Sequence, residues 1–201
     1  MSTYAKSKPW VVGMTGASGA VYGVRLCREL LSMGVEVHLV ITDSGWRVLN
    51  QELGWDAARR EDTLARQLGG LGSALHYYPN HDVGALIASG TFRTAGMVIV
   101  PCSMGTISGI ARAASDNLLE RAADVVLKEG RKLIVVPRET PLHAVHLENM
   151  LALARMGVTI LPAMPAFYNK PESMEDLVNF VVGKTLDAMG LEHAIYKRWG
   201  E

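Results

Sequence analysis

The stretch Val11-Val12-Gly13-Met14-Thr15-Gly16-Ala17-Ser18-Gly19-Ala20 decides the fold: an apolar run breaks into a loop of small residues ahead of a helical pattern. Such a turn lets backbone N–H groups approach an anion closely, and the helix behind it adds a positive dipole end. A phosphate-bearing ligand is therefore the first expectation. Working outward, short apolar runs alternate with longer helical patterns, which predicts a parallel sheet covered by helices. The expected strands are residues 9–14, 35–41, 96–101, 132–136 and 158–161, whose Val/Ile density without polar alternation suits burial on both faces. One helix is expected over 21–33, with Val24, Cys27, Leu30 and Leu31 along one side and Gly34 closing it. Others are expected over 117–128, over 173–189, and from Thr140 as N-cap and Pro141 as first helical residue to Met156. Residues 56–82 read as a helix followed by a short strand near 75–78. No repeat or linker divides the chain, so one doubly wound α/β domain over 1–201 is expected, with its core at about 9–187 and a tail at about 188–201.

The 201 residues are 49% apolar, and 20 Lys+Arg balance 20 Asp+Glu. A neutral total leaves no electrostatic footprint for nucleic acid or an acidic membrane surface. Residues 1–8 are polar and lack the apolar core of a signal peptide, and no run is long enough to span a bilayer, so a cytoplasmic protein is expected. Cys27 and Cys102 make neither a disulfide framework nor a zinc knuckle. High apolar content at this size points to surface buried against other subunits.

In a doubly wound sheet, ligands lie beyond the carboxyl ends of the strands. Those ends carry the Thr15-to-Gly19 loop, Thr42-Asp43-Ser44, the Cys102-to-Thr106 loop, Arg138-Glu139 and the Pro162-to-Tyr168 segment, so five loops are expected to face one crevice. The nicotinamide fingerprint is not met: the glycine after Gly19 arrives at Gly23, one residue late, and Tyr22 fills its slot. Asp43 could hold a ribose hydroxyl, but an Asp there also reads as a helix cap. The Tyr4-x-x-x-Lys8 pair precedes the first strand, far from the crevice. In Cys102-Ser103-Met104-Gly105-Thr106, N-capping explains one hydroxyl and leaves the other for a ligand. Arg138 offers a fork for phosphate, and Glu139 beside it stands where an anion is favoured. With Arg121, Lys128, Tyr168 and Lys184, the chain holds enough cations and phenol for a second phosphate. His143, His146 and Glu148 lack a third convincing ligand for a metal, and no Asp-rich cluster exists to hold magnesium on a diphosphate, so no metal is expected.

Three motifs then occur in order: Thr15-Gly16-Ala17-Ser18-Gly19-Ala20-x-Tyr22-Gly23, Pro101-Cys102-Ser103-x-x-Thr106, and Arg121-Ala122-Ala123-Asp124-Val125-x-Leu127-Lys128-Glu129. Pro137-Arg138-Glu139-Thr140-Pro141-Leu142-His143 and Pro162-x-x-Pro165-Ala166-Phe167-Tyr168 follow. This series resembles the UbiX family of flavin prenyltransferases over almost everything from residue 9 to about 187. The resemblance implies a flavodoxin-like or Rossmann-like fold, a dodecamer, and FMN with dimethylallyl phosphate as ligands. It implies prenylation of reduced FMN at N5 and C6, the product passing to a decarboxylase of the UbiD family, often in ubiquinone synthesis. By position, Gly16, Ala17, Ser18, Thr42, Ser103, Met104, Gly105, Thr106 and Arg138 are implied to hold FMN, with Ser18 near N5. Ser89, Gly90, Arg121, Lys128, Arg138, Glu139, Tyr168 and Lys184 are implied around the dimethylallyl phosphate, some from neighbouring subunits. Ser18, Glu52, Lys128 and Glu139 are the implied catalytic set. Many members carry Lys at the place of Gly105, Ser-Lys at Thr42-Asp43, and Arg at Lys184, where the bidentate fork is lost. The alternatives are an FMN-dependent cysteine decarboxylase on a similar fold, whose loop differs from Pro101-Cys102-Ser103-Met104-Gly105-Thr106, and a non-catalytic flavin carrier.

Overall fold

The computed structural model describes residues 8–70, 72–198 and 200; Tyr4 and most of the polar start lie outside these. Six strands form one parallel sheet: β1 (Trp10–Met14), β2 (Val37–Ile41), β3 (Leu75–Pro79), β4 (Gly96–Cys102), β5 (Lys132–Pro137) and β6 (Thr159–Ile160). Their order is β3-β2-β1-β4-β5-β6, the doubly wound arrangement whose topological switch falls between β1 and β4. β1, β2 and β4 are buried along their whole length, as their unalternating Val/Ile runs require.

Helices α1 (Ala20–Ser32), α2 (Asp43–Leu53) and α3 (Arg60–Leu68) share one face with α7 (Met174–Met189). There Val12, Leu26, Leu30, Leu39, Trp46 and Leu186 form one core. Helices α4 (Met104–Ala111), α5 (Leu118–Lys128) and α6 (Ala144–Arg155) cover the other face with Val11, Ile99, Leu119, Leu133 and Leu153. Gly34 leaves α1 in the left-handed region at φ +72°, as its position after the apolar stripe predicts. The poorly readable 56–82 region is the expected helix and strand, α3 and β3.

One expected helix start is wrong. Thr140 and Pro141 do not open α6, which begins at Ala144 with His143 as N-cap. Residues 138–142 instead loop over a cavity at the sheet end. Glu139 accepts the Thr140 N–H at 2.9 Å, and Leu142 lines the cavity wall, so the local polar and apolar partners compete with the helix.

Gly23 lets α1 lie on the switch point: a Cβ there would sit 2.5 Å from the Val100 carbonyl oxygen and 2.7 Å from Met14 Cε. Gly23→Ala is expected to lift α1 from β4 and to cost about 1–3 kcal/mol, the usual range for overpacking. Thermal unfolding checks this; a drop of about 3–10 °C is expected at this chain length, and an unchanged midpoint would show that the contact opens freely.

Candidate active site

Backbone and hydroxyl bonds lace together the carboxyl ends of the strands. Thr15 donates its Oγ1 hydroxyl to the Pro101 carbonyl at 2.9 Å and accepts the Ser103 N–H at 2.8 Å. The Thr42 N–H reaches the Met14 carbonyl, the Arg138 N–H reaches Cys102, and the Ala163 N–H reaches Pro137. The five loops expected at one crevice therefore share one rigid floor. Gly16 is required in this floor, because a Cβ on it would stand 2.5 Å from Ser44 Cβ. Ala17 is buried and Ser18 exposed at the rim.

The head of α1 differs from expectation. Glu52, from the last turn of α2, accepts the Gly19 N–H at 3.0 and 3.1 Å on its two oxygens and the Ala20 N–H at 2.9 Å. A carboxylate of the chain thus takes the anion position that the opening motif suggests for a ligand phosphate. Burial, and then the nearby Glu52 charge, raise the Tyr22 phenol above its ordinary range. Tyr22 belongs to this group, although sequence reading placed it only as the residue in a glycine slot.

At the head of α4, Ser103 Oγ accepts the Thr106 N–H at 3.3 Å and lies 3.1 Å from Thr106 Oγ1. Ser103 thus caps α4, and its hydroxyl and that of Thr106 form a pair at the helix head. The first-turn N–H groups of Met104 and Gly105 have no intrahelical acceptor by helix geometry. Thr42 caps α2, accepting the Gly45 N–H at 3.0 Å, and Asp43 pairs with Arg60 at 2.8 Å. Arg138 follows β5, and its Nε is buried with no hydrogen-bond partner among the described residues. A buried guanidinium donor left unpaired at a sheet end calls for an anionic acceptor. Beside it Met104, Pro137, Glu139, Leu142 and Met164 line a cavity of about 290 Å³, apolar but for Arg138, Glu139 and Thr140.

The remaining predicted residues lie elsewhere in the chain. Helix α5 starts at the carboxyl edge, where the Leu118 N–H meets the Asn80 carbonyl, and runs back to the amino edge. Lys128 therefore sits at the far end of a sheet about 20 Å deep. There its Nζ is 2.8 Å from Glu129 Oε1, and Arg131 donates to the Gly90 carbonyl at 2.6 Å. Gly90 and Lys128 line a cavity of about 500 Å³ with Arg93 and Arg131, and exposed Ser89 precedes it. Arg121 pairs with Asp124 at 3.2 Å, one turn into α5. Tyr168 stands edge-on to Phe180 at 6.0 Å, one helical turn before Lys184, whose Nζ is 3.7 Å from Asp187.

Sequence reading also missed the anchoring of the tail. Asp187 accepts from Tyr196 Oη at 2.7 Å, Arg198 at 2.8 Å and His193 Nε2 at 3.1 Å. Burial opposes ionisation of Asp187, but the Arg198, Tyr196 and His193 bonds outweigh it and hold the carboxyl at about 2. Burial, then Asp187, push Tyr196 up to about 12. The Asp187 contribution is present above about pH 4 and disappears as pH falls through 2. The Tyr196 contribution is present below about pH 10 and disappears as pH rises through 12. Amide exchange over residues 191–198 is expected to stay flat between about pH 4 and 10, once corrected for intrinsic rates, and to rise at least about tenfold in Asp187→Asn, which weakens all three bonds to the carboxylate. Equal protection in parent and variant would remove Asp187 as the anchor.

Residues 1–186 match the family model described as Flavoprotein. The chain is 57% identical over 194 residues to the flavin prenyltransferase UbiX of Alkalihalophilus pseudofirmus, covering 96% of this chain and 97% of that one. The chain belongs to the UbiX family of flavin prenyltransferases. The family's flavin prenyltransferase UbiX from Methanocaldococcus jannaschii is 44% identical over 190 residues, covering 94% of this chain and 97% of that one. Among solved structures, AnUbiX in complex with FMN and dimethylallyl pyrophosphate superposes with a TM-score of 0.88 at 37% identity, covering 97% of this chain and 98% of that one. The dodecameric FMN-dependent UbiX-like decarboxylase from Escherichia coli O157:H7 gives 0.87 at 47% identity, covering 96% of this chain and all of that one. An FMN-dependent cysteine decarboxylase is similar at 15% identity and a TM-score of 0.60, a likeness of fold alone.

Proposed function

We propose that this chain joins a dimethylallyl group from dimethylallyl phosphate to N5 and C6 of reduced FMN, supplying prenylated FMN to a UbiD-type decarboxylase. The observation that carries the reading is the crevice itself. The Thr15-to-Gly19 loop, the head of α4 and the unpaired Arg138 Nε converge beside a small apolar cavity closed by Glu139. FMN fits these residues: Arg138 and the Met104 and Gly105 N–H groups suit its phosphate, and Gly16, Ala17, Ser18, Thr42, Ser103 and Thr106 suit its ring edges. Its relatives' ligands, FMN and dimethylallyl pyrophosphate, agree with that fit.

Reduced flavin supplies an electron-rich acceptor for the allyl group. The chain's own task is to hold the ester and to move one proton. Leaving-group phosphate gains negative charge as the allylic C–O bond breaks, and fixed cations stabilise it. Met104, Leu142 and Met164 supply an apolar wall for the allyl carbons. Glu139, on the cavity wall, would take or return the proton exchanged when the second C–C bond forms. Ser18, exposed in the first loop, would hydrogen-bond near N5.

Lys128, Ser89 and Gly90 lie at the opposite edge from this crevice, and in the proposed assembly they would serve the crevice of a neighbouring subunit. The surface supports an assembly. Helix α6 has one fully buried residue, Leu153, and exposes Val145, Leu147 and Leu151, while Met164, Phe167 and Met174 are exposed further along the chain. So much exposed apolar surface calls for covering by other copies, and a homo-oligomer, dodecameric like its relative, is the proposed form. Among the described residues no helix is long and apolar enough to cross a membrane, and the proposed place of action is the cytoplasm.

Anaerobic incubation with reduced FMN and dimethylallyl phosphate, followed by flavin mass and absorbance, tests the activity. The expected result is a flavin heavier by a five-carbon unit, lacking the parent absorbance. Unchanged flavin mass with either the monophosphate or the pyrophosphate ester would overturn the prenyltransferase reading.

A further inference from the structure

At the amino edge of the sheet, strand geometry gathers three metal-ligating side chains. Glu36 directly precedes β2, His38 is the second residue of β2, and His76 is the second residue of β3. Residues two apart on a strand share a face, and His38 and His76 are register partners in the parallel pair. All three are therefore set side by side by the sheet itself. Glu36 Oε1 lies 3.2 Å from His38 Nε2 and 3.3 Å from His76 Nε2, and one donor atom from each of the three lies within 4.8 Å of the others.

We propose that Glu36, His38 and His76 bind a divalent transition metal of the zinc type through Glu36 Oε1, His38 Nε2 and His76 Nε2, with a further position open to solvent. Ligands about 2.0–2.1 Å from a tetrahedral zinc stand about 3.3 Å apart, the spacing of both Glu–His pairs. The third pair closes by a swing of His76, whose side chain is 36% exposed on the edge strand. A second feature sets the ligand nitrogen. Tyr78 Oη lies 2.8 Å from His38 Nδ1, so the ring can give that N–H to the phenol and present Nε2 as the lone pair. A coordinating histidine is usually fixed through its second nitrogen in this way. His38 is 2% exposed and packed between the His76 ring at 4.7 Å and the Phe92 edge at 4.7 Å, which fixes its ring. Two imidazoles with one carboxylate suit zinc and its first-row neighbours, whereas magnesium and calcium prefer all-oxygen shells.

The competing account is a carboxylate bridging two histidines by hydrogen bonds alone. Titration of the chelator-stripped full chain separates the two, with Zn²⁺ read against a chromophoric competitor and Co²⁺ read by visible absorbance. One equivalent of each metal is expected, and Co²⁺ should show the ligand-field bands of an imidazole-ligated site. His76→Ala and Glu36→Gln should each weaken binding at least about tenfold and abolish those bands, since even indirect partners of a metal ligand are worth that much. His143→Ala, which removes one ring of the other stacked histidine pair, should change neither. Absence of saturable binding, binding unaffected by both Glu36→Gln and His76→Ala, or binding lost in His143→Ala would each overturn the site.

Discussion

Glu139→Gln is expected to retain FMN binding and to stop turnover before the fourth flavin ring closes, lowering the rate by about 10²–10⁴, the range for losing a positioned acid or base. The amide keeps the size of the group and its ability to accept the Thr140 N–H, now 2.9 Å from Glu139 Oε1. The surrounding loop should therefore keep its shape, and thermal unfolding should change little. Rapid-quench mass analysis should then show flavin already carrying the five-carbon group without the second ring bond. Full turnover by this variant removes Glu139 from the proton step. Loss of FMN affinity in parallel would make it a binding residue instead.

The second large effect concerns Lys128. Its Nζ lies beside Glu129 at the amino edge, while Glu139 lines the cavity at the carboxyl edge, with the sheet between them. Lys128→Ala alone is expected to lose about 10²–10³ in rate, the scale for removing one electrostatic contact to a developing charge. Glu139→Gln alone should be equally poor. Mixed after subunit exchange, the two should recover measurable activity, because some sites then combine an intact Glu139 with an intact Lys128 from different chains. Failure to recover, in mixtures shown by native mass to have exchanged, would place both groups in one chain's site.

The distribution of these groups explains how much was legible from residue order. The strands and α1 follow from Val/Ile density and from a glycine after an apolar stripe, and these local signals are strong. The loops at the carboxyl ends follow from the strands, so the crevice around Gly16, Thr42, Ser103 and Arg138 could be assembled from sequence. Which groups bond one another across it could not. Glu52 reaches Gly19 across 33 positions, and nothing local marks it. The bond between Ser103 and Thr106 could not be read ahead because a capping hydroxyl and a ligand-facing hydroxyl have the same residue signature. The α6 start failed because a Thr-Pro pair reads as cap and first turn, while the contacts of Glu139 and Leu142 favour an open loop. The Glu36, His38 and His76 trio escaped notice because β2 and β3 become neighbours only once the sheet is ordered.

The carboxylate at the head of α1 also bears on the pose of a nucleotide. A dianionic tail entering the crevice meets negative charge at Glu52 and an unpaired guanidinium donor at Arg138. In the proposed pose, repulsion at one wall and attraction at the other would turn the ring toward Ser18 and the tail toward Arg138. Glu52 would thus work as a signpost, sorting the two ends of the visitor before any bond is made.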